Sequence, residues 1–112
     1  ILFIEDVGEA PYRVDRMLAQ LEMAGKLESL AGAILGQWSK CVADEPENSL
    51  TLDQIFDRYF ARRPYPVVKG FPVGHVRQNA TLPEGVEAEL DAATCRLRLL
   101  EDPVEVEPPP RK

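Results

Sequence analysis

Apolar and polar positions fall in blocks along this chain, and the blocks predict strands alternating with helices. Ile1-Leu2-Phe3-Ile4 is an unbroken apolar run of the kind that forms a buried strand. The polar stretch Glu5–Glu9 is expected as the turn that follows. Pro11 suits the first turn of a helix, where its missing N–H is no loss. Val14, Met17, Leu18 and Leu21 then recur at helical spacing while Asp15, Arg16, Gln20 and Glu22 point elsewhere. That pattern predicts an amphipathic helix lying on a core, with its Met and Leu stripe as packing rather than a cofactor surface. Gly25 suits the left-handed residue that ends such a helix, and Lys26 falls near its negative end. Ala31–Leu35, small and apolar with Gly32 and Gly36 around it, reads as an interior strand.

The second half repeats the alternation. Lys40–Ser49 is a polar loop containing Pro46, and Thr51 with Gln54 forms a capping box ahead of the stripe Leu52, Ile55, Phe56 and Tyr59. Pro64 and Pro66 stop that helix. Pro66–Phe71 is expected to be extended, ending at Pro72-Val73-Gly74-His75. Leu82-Pro83-Glu84-Gly85 reads as a turn, followed by a strand pair near Val86–Leu90 and Arg96–Leu100. Residues 102–112, with Pro108-Pro109-Pro110, read as a floppy proline-rich tail. The predicted fold class is therefore α/β. An apolar strand with no turn or cap ahead of it is expected to lie inside a longer protein.

Charge and cysteine usage narrow the function classes. The 13 Lys and Arg against 19 Asp and Glu give a formal net charge of -6, against general binding of a phosphate backbone. Arg62-Arg63 is explained by a solvated helix end. No stretch approaches the 18 or so apolar residues of a membrane span. Cys41 and Cys95 have no Cys or His at ligand spacing, so they read as reduced thiols in a cytoplasmic protein. The glycines form neither G-x-G-x-x-G nor a Walker pattern, and the lone histidine among scattered carboxylates matches no metal site. No cofactor or metal is expected.

A few residues could carry chemistry. His75, the single histidine, lies in a glycine-rich loop past an extended segment, where α/β proteins often place working side chains. A surface histidine without a task is an equal reading. Glu5 extends the opening apolar run, so its carboxylate is expected to be partly buried and to need a partner such as a histidine N–H. Asp6 and Glu9 fit an acidic entry to the following helix. Glu and His together make two thirds of a hydrolytic triad, but Ser29, Ser39 and Ser49 show no nucleophile elbow. Trp38 could line a pocket near a strand end or simply pack.

The block Glu5-Asp6-Val7-x-Glu9-x-x-Tyr12-x-x-Asp15-Arg16-Met17 resembles the carboxy-terminal domain of the LD-carboxypeptidases, the muramoyltetrapeptide carboxypeptidase family. Ala33-Ile34-Leu35-Gly36, the Gly70–His75 loop and Asn79–Gly85 resemble it too, in the family's order and over most of residues 1–100. The resemblance implies a small swivelling-type β/α domain over residues 1–101, incomplete on its amino-terminal side. In such proteins a separate amino-terminal domain carries a nucleophilic serine, and the carboxy-terminal domain adds a glutamate and a histidine across the cleft. Carried over by motif, these are Glu5 and His75, with Glu9 the rival carboxylate. The implied reaction removes terminal D-alanine from an L,D-bond in murein peptides during cell-wall recycling. Arg77 could meet a substrate carboxylate or face solvent, and Tyr12, Arg13 and Arg16 belong to the signature without an assigned role.

On this basis the chain is expected to be inactive without the nucleophile domain and to associate with another copy as a dimer or other homo-oligomer through exposed sheet edges. Two further readings stand beside it. One is a non-catalytic α/β binding or assembly domain. The other is an immunity-type hydrolase of a peptide-nucleotide antibiotic, which would keep Glu5 and His75. Separation of those two side chains in the fold would favour the binding domain, and an imidazole aimed at the carboxylate from an open face would favour catalysis.

Overall fold

The computed structural model describes residues 1–104. In chain order these form β1 (Leu2–Val7), α1 (Pro11–Met23), β2 (Ala33–Ser39), α2 (Leu52–Phe60), β3 (Val67–Gly74), β4 (Ala88–Asp91) and β5 (Arg96–Leu99). The first three strands make a parallel sheet in the order β1-β2-β3, and β4 pairs antiparallel with β5. Residues of both crossover helices join one core cluster with Ala33 and Leu35, so the helices lie on the same face of the sheet. The helices are tied there by the Tyr59 hydroxyl, which donates to the Asp15 carboxylate at 2.7 Å.

Local chemistry explains where the helices begin and end. Pro11 opens α1, and Gly25 at φ 69° closes it. The Lys26 N–H reaches the Leu21 carbonyl and the Gly25 N–H the Glu22 carbonyl, each at 2.9 Å, which is the Schellman pattern. At the start of α2 the Gln54 N–H donates to Thr51 Oγ1 at 3.2 Å and the Thr51 N–H to Gln54 Oε1 at 2.9 Å.

The main core lies between the sheet and the helices. Val14, Leu18, Ile55, Phe56, Tyr59 and Phe60 meet Ala33 and Leu35 there, with Leu2 and Ile4 packed against them. Full burial of a Leu or Ile side chain is worth about 1.5–3 kcal/mol, so this layer carries most of the helix docking. Leu27, in the turn after α1, is wholly buried in the same cluster, and the Tyr65 hydroxyl donates to its carbonyl at 2.7 Å. On the opposite face Phe3, Ile34 and Val73 line a groove of about 760 Å³ whose other wall includes Leu82, Val86 and Leu97.

Several expected boundaries shift. Glu5 and Asp6 are strand residues and not a turn, because pairing with β2 continues through Asp6–Trp38 and Val7–Ser39. The second strand is Ala33–Ser39, extended beyond Leu35 by that same pairing. The third runs to Gly74 instead of ending at Phe71, because Gly74 still pairs with Gln37. Met17 is 37% exposed, for Val14 and Leu18 take the inner face of α1. Pro108–Pro110 and most of the expected tail lie outside the described residues.

Candidate active site

Irregular pairing builds the site. Between Ile4 and Asp6 the register of β1 with β2 shifts, so Glu5 stands opposite the bulged pair Gly36 and Gln37. Between Lys69 and Gly74 the third strand loops out while β2 advances only from Leu35 to Gln37. The Gln37 carboxamide N–H donates to the carbonyl of Gly70 at 2.8 Å and holds that loop. Pro72 fits there, since a looped-out residue needs no ladder donor.

Two glycines let backbone and carboxylate converge. A Cβ on Gly36 would lie 2.4 Å from the Val73 carbonyl oxygen and 3.2 Å from Glu5 Cβ. One on Gly74 would lie 2.7 Å from the Gln37 carbonyl oxygen and 3.2 Å from Glu5 Oε2, at a φ of +143° that side chains rarely adopt. Glu5 therefore sits on the face opposite the helices, with Phe3 and Gly36. Its side chain is 21% exposed.

His75 follows directly on Gly74, and its Nδ1 lies 2.9 Å from Glu5 Oε2. A carboxylate only accepts, so in the neutral ring Nδ1 carries the proton and Nε2 keeps its lone pair. The imidazole is 60% exposed. The loop bearing it is pinned on both sides. The Ser39 hydroxyl donates to the His75 carbonyl at 2.8 Å, the Gly74 N–H donates to Asn79 Oδ1 at 3.0 Å, and the Ala80 N–H reaches the Pro72 carbonyl at 2.8 Å. Chemically, the arrangement can serve as a general base oriented by a carboxylate, on a side open to a reactant.

The other expected site residues are placed elsewhere. Glu9 is turned to Arg13, 3.8 Å away, and not to His75. Trp38 packs on Phe56 with ring centroids 5.1 Å apart, so it belongs to the helix side of the sheet and not to the Glu5 face. There it lines a cavity of about 490 Å³ with Pro11, Val42 and Leu50. Its indole N–H is closed off and has no hydrogen-bond partner among the described residues, so it offers no donor at the Glu5–His75 pair. Arg77 is exposed two residues past His75 and makes no ion pair among the described residues. Tyr12 and Arg13 hydrogen-bond each other at 3.2 Å on the exposed side of α1, and Arg16 is exposed there too. Lys69 is committed to Asp53 at 3.0 Å, and that hydrogen bond raises the pKa of its ammonium, which removes it as a rival base. Among the described residues no three His, Cys, Asp or Glu side chains cluster as metal ligands. Sequence reasoning gave no positioning role to Ser39, Gln37 or Asn79; the first two reach main-chain atoms more than 30 residues away, and Asn79 reaches one within its own loop. Only Asn79 carried a signal, as part of a family motif.

Comparison with known proteins bears on the family and the fold. The family described as "LD-carboxypeptidase C-terminal domain" matches residues 1–90. A probable murein peptide carboxypeptidase of Bacillus subtilis is 40% identical over 93 residues, covering 83% of this chain and 29% of the relative. The murein tetrapeptide carboxypeptidase of Pseudomonas aeruginosa is 36% identical over 96 residues, covering 86% and 31%. The crystal structure of muramoyltetrapeptide carboxypeptidase from Oxalobacter formigenes superposes with a TM-score of 0.73 at 36% identity, over 88% of this chain and 34% of that one. The microcin C7 self-immunity protein, in complex with aspartyl sulfamoyl adenosine, shares the fold at a TM-score of 0.80 but only 22% identity, over 93% and 30%. The chain thus spans about a third of the length of these relatives. Its fold and its sequence alike make it a member of the LD-carboxypeptidase family, matching that family's carboxy-terminal domain.

Proposed function

We propose that this chain supplies the general base and its orienting carboxylate to a serine-type LD-carboxypeptidase that releases terminal D-alanine from murein peptides. The observation that carries this reading is the 2.9 Å contact between His75 Nδ1 and Glu5 Oε2 at the strand ends. Its Nε2 takes the proton of an attacking serine hydroxyl and returns it to the leaving amine, while Glu5 fixes the tautomer and stabilises the imidazolium. The serine comes from the nucleophile domain of a longer protein. Ser39 is the chain's hydroxyl tied to this loop, and it donates to the His75 carbonyl instead of serving as nucleophile. Arg77 is proposed to meet the substrate's terminal carboxylate. A cytoplasmic location and a homo-oligomer go with this reading, to be checked by cell fractionation and by sedimentation.

The aim of the imidazole favours catalysis over a purely binding domain. The test is D-alanine release from an L,D-tetrapeptide by the longer protein containing this chain. His75→Ala should abolish turnover, and Glu5→Gln should lower kcat by on the order of 10³–10⁴, as a lost tautomer lock does in related triads. Full activity in the His75→Ala protein would sink the proposal.

A further inference from the structure

An imidazole that is 60% exposed has little packing to hold its ring over Glu5. Its orientation must therefore come from the main chain that carries it. That main chain is unusually well tied. The Val76 N–H donates to the Gly74 carbonyl at 2.9 Å, an i to i+2 bond that puts His75 at the centre of a γ-turn. A γ-turn leaves the central residue's own carbonyl outside the turn, and that carbonyl accepts from Ser39 Oγ at 2.8 Å. On the other side, the Gly74 N–H is taken by Asn79 Oδ1 at 3.0 Å. Ser39 is itself anchored, since its carbonyl accepts from the Gly8 N–H at 2.8 Å where β1 ends. One tether thus runs from the end of β1 through Ser39 to His75, and the other closes the loop within itself.

We propose that Ser39 and Asn79 are positioning residues that lock the His75 ring in its Nδ1–H form against Glu5. This rests on the reading of Glu5 and His75 as base and orienter. Neither residue touches the reacting atoms. Each acts through the main chain on one side of His75, so losing either lets the ring swing away from the carboxylate while the core stays intact. The hydroxyl at 39 matters as a donor and the side-chain oxygen at 79 as an acceptor, so Ser39→Thr and Asn79→Asp should preserve the lock.

The chain's single histidine makes the test direct. Long-range ¹⁵N–¹H NMR of the labelled 112-residue chain distinguishes the two tautomers through the ring carbon-bound protons, in alkaline solution (about pH 9) where an ordinary imidazole is neutral. The unsubstituted chain should show one pyrrole-like Nδ1 and one pyridine-like Nε2. Ser39→Val and Asn79→Ala should lose that pattern and give the exchange-averaged shifts of a free imidazole, with core amide resonances unchanged. Val and Thr match in shape, so a difference between Ser39→Val and Ser39→Thr belongs to the hydroxyl even if bulk at this site disturbs the strand end. Retention of the Nδ1–H pattern in Ser39→Val and Asn79→Ala would overturn the positioning role and leave the base-and-orienter reading standing. An averaged ring in an unsubstituted chain whose core amides show folded dispersion would overturn both.

Discussion

Gly36→Ala isolates the steric demand of the site from any backbone preference. Gly36 is buried, and its φ is not in the left-handed region, so an alanine could adopt the same backbone. The new methyl would nonetheless lie 2.4 Å from the Val73 carbonyl oxygen and 2.9 Å from Phe3 Cε2. The oxygen would have to retreat by about 1 Å to reach ordinary contact at 3.4 Å, and it is main chain, so a strand must move. Overpacking of this kind costs about 1–3 kcal/mol, and the rigid neighbour puts it at the upper end. The alanine also restricts the unfolded chain, which returns about 0.4–1 kcal/mol. A net loss of about 2 kcal/mol follows, roughly a thirtyfold shift towards the unfolded state.

Gly70→Ala is the matched control. Gly70 has φ +71° but open space where the methyl would go, so its loss is the left-handed strain alone, about 1–2 kcal/mol before the same entropic return. Urea unfolding followed by the fluorescence of Trp38, the only tryptophan, measures both variants. With a slope of about 1.5 kcal/mol/M, Gly36→Ala should lower the midpoint by about 1.3 M and Gly70→Ala by about half that or less. Equal midpoints for the two variants would refute the claim that β1 and β3 close sterically on Gly36.

Three further outcomes can be checked together. Burial, followed by the hydrogen bond to Asp15, pushes the Tyr59 phenol up from 10.0 to about 12, so the folded state holds that proton more tightly than the unfolded chain. The resulting stability is complete below pH 10 and is lost as pH rises towards 12. Tyr59→Phe should flatten that part of a urea-midpoint series against pH. Thr51→Ala removes the cap of α2 and should cost about 1 kcal/mol by the same assay, while Thr51→Ser should recover most of it. Gly74→Ala should disturb the site and the fold together. Its methyl would lie 2.7 Å from the Gln37 carbonyl oxygen and 3.2 Å from Glu5 Oε2, at a φ of +143°, so the urea midpoint should fall and the ring ¹⁵N pattern of His75 should change with it.

The helices were legible in the sequence because their signals are local. Pro11, Gly25 and the Thr51–Gln54 box mark ends that depend on neighbours a few residues away. The strands were less so. Glu5 and Asp6 look like turn residues by composition, and only pairing with partners some thirty positions distant keeps them extended. The family motif identified Glu5 and His75 as residues, but their approach depends on two register shifts and two glycine contacts that no local pattern announces. Leu27 was passed over for a similar reason, since a lone leucine after a helix stop carries no periodicity even though it ends up wholly buried.

The contact between Glu5 and His75 joins the first strand of the parallel sheet to the end of the third, with β2 between them. It spans 70 residues of chain, and the loop that closes it includes both crossover helices. The ordering entropy of such a closure is met only after β2 has docked on each neighbour, so the pair should be among the last features to assemble. The same geometry makes it among the first to be lost, because an exposed loop can open while the layer around Leu27 and Ile55 holds. The order of the His75 ring and the folded mass would then part company under mild denaturant, with the ring's order failing first.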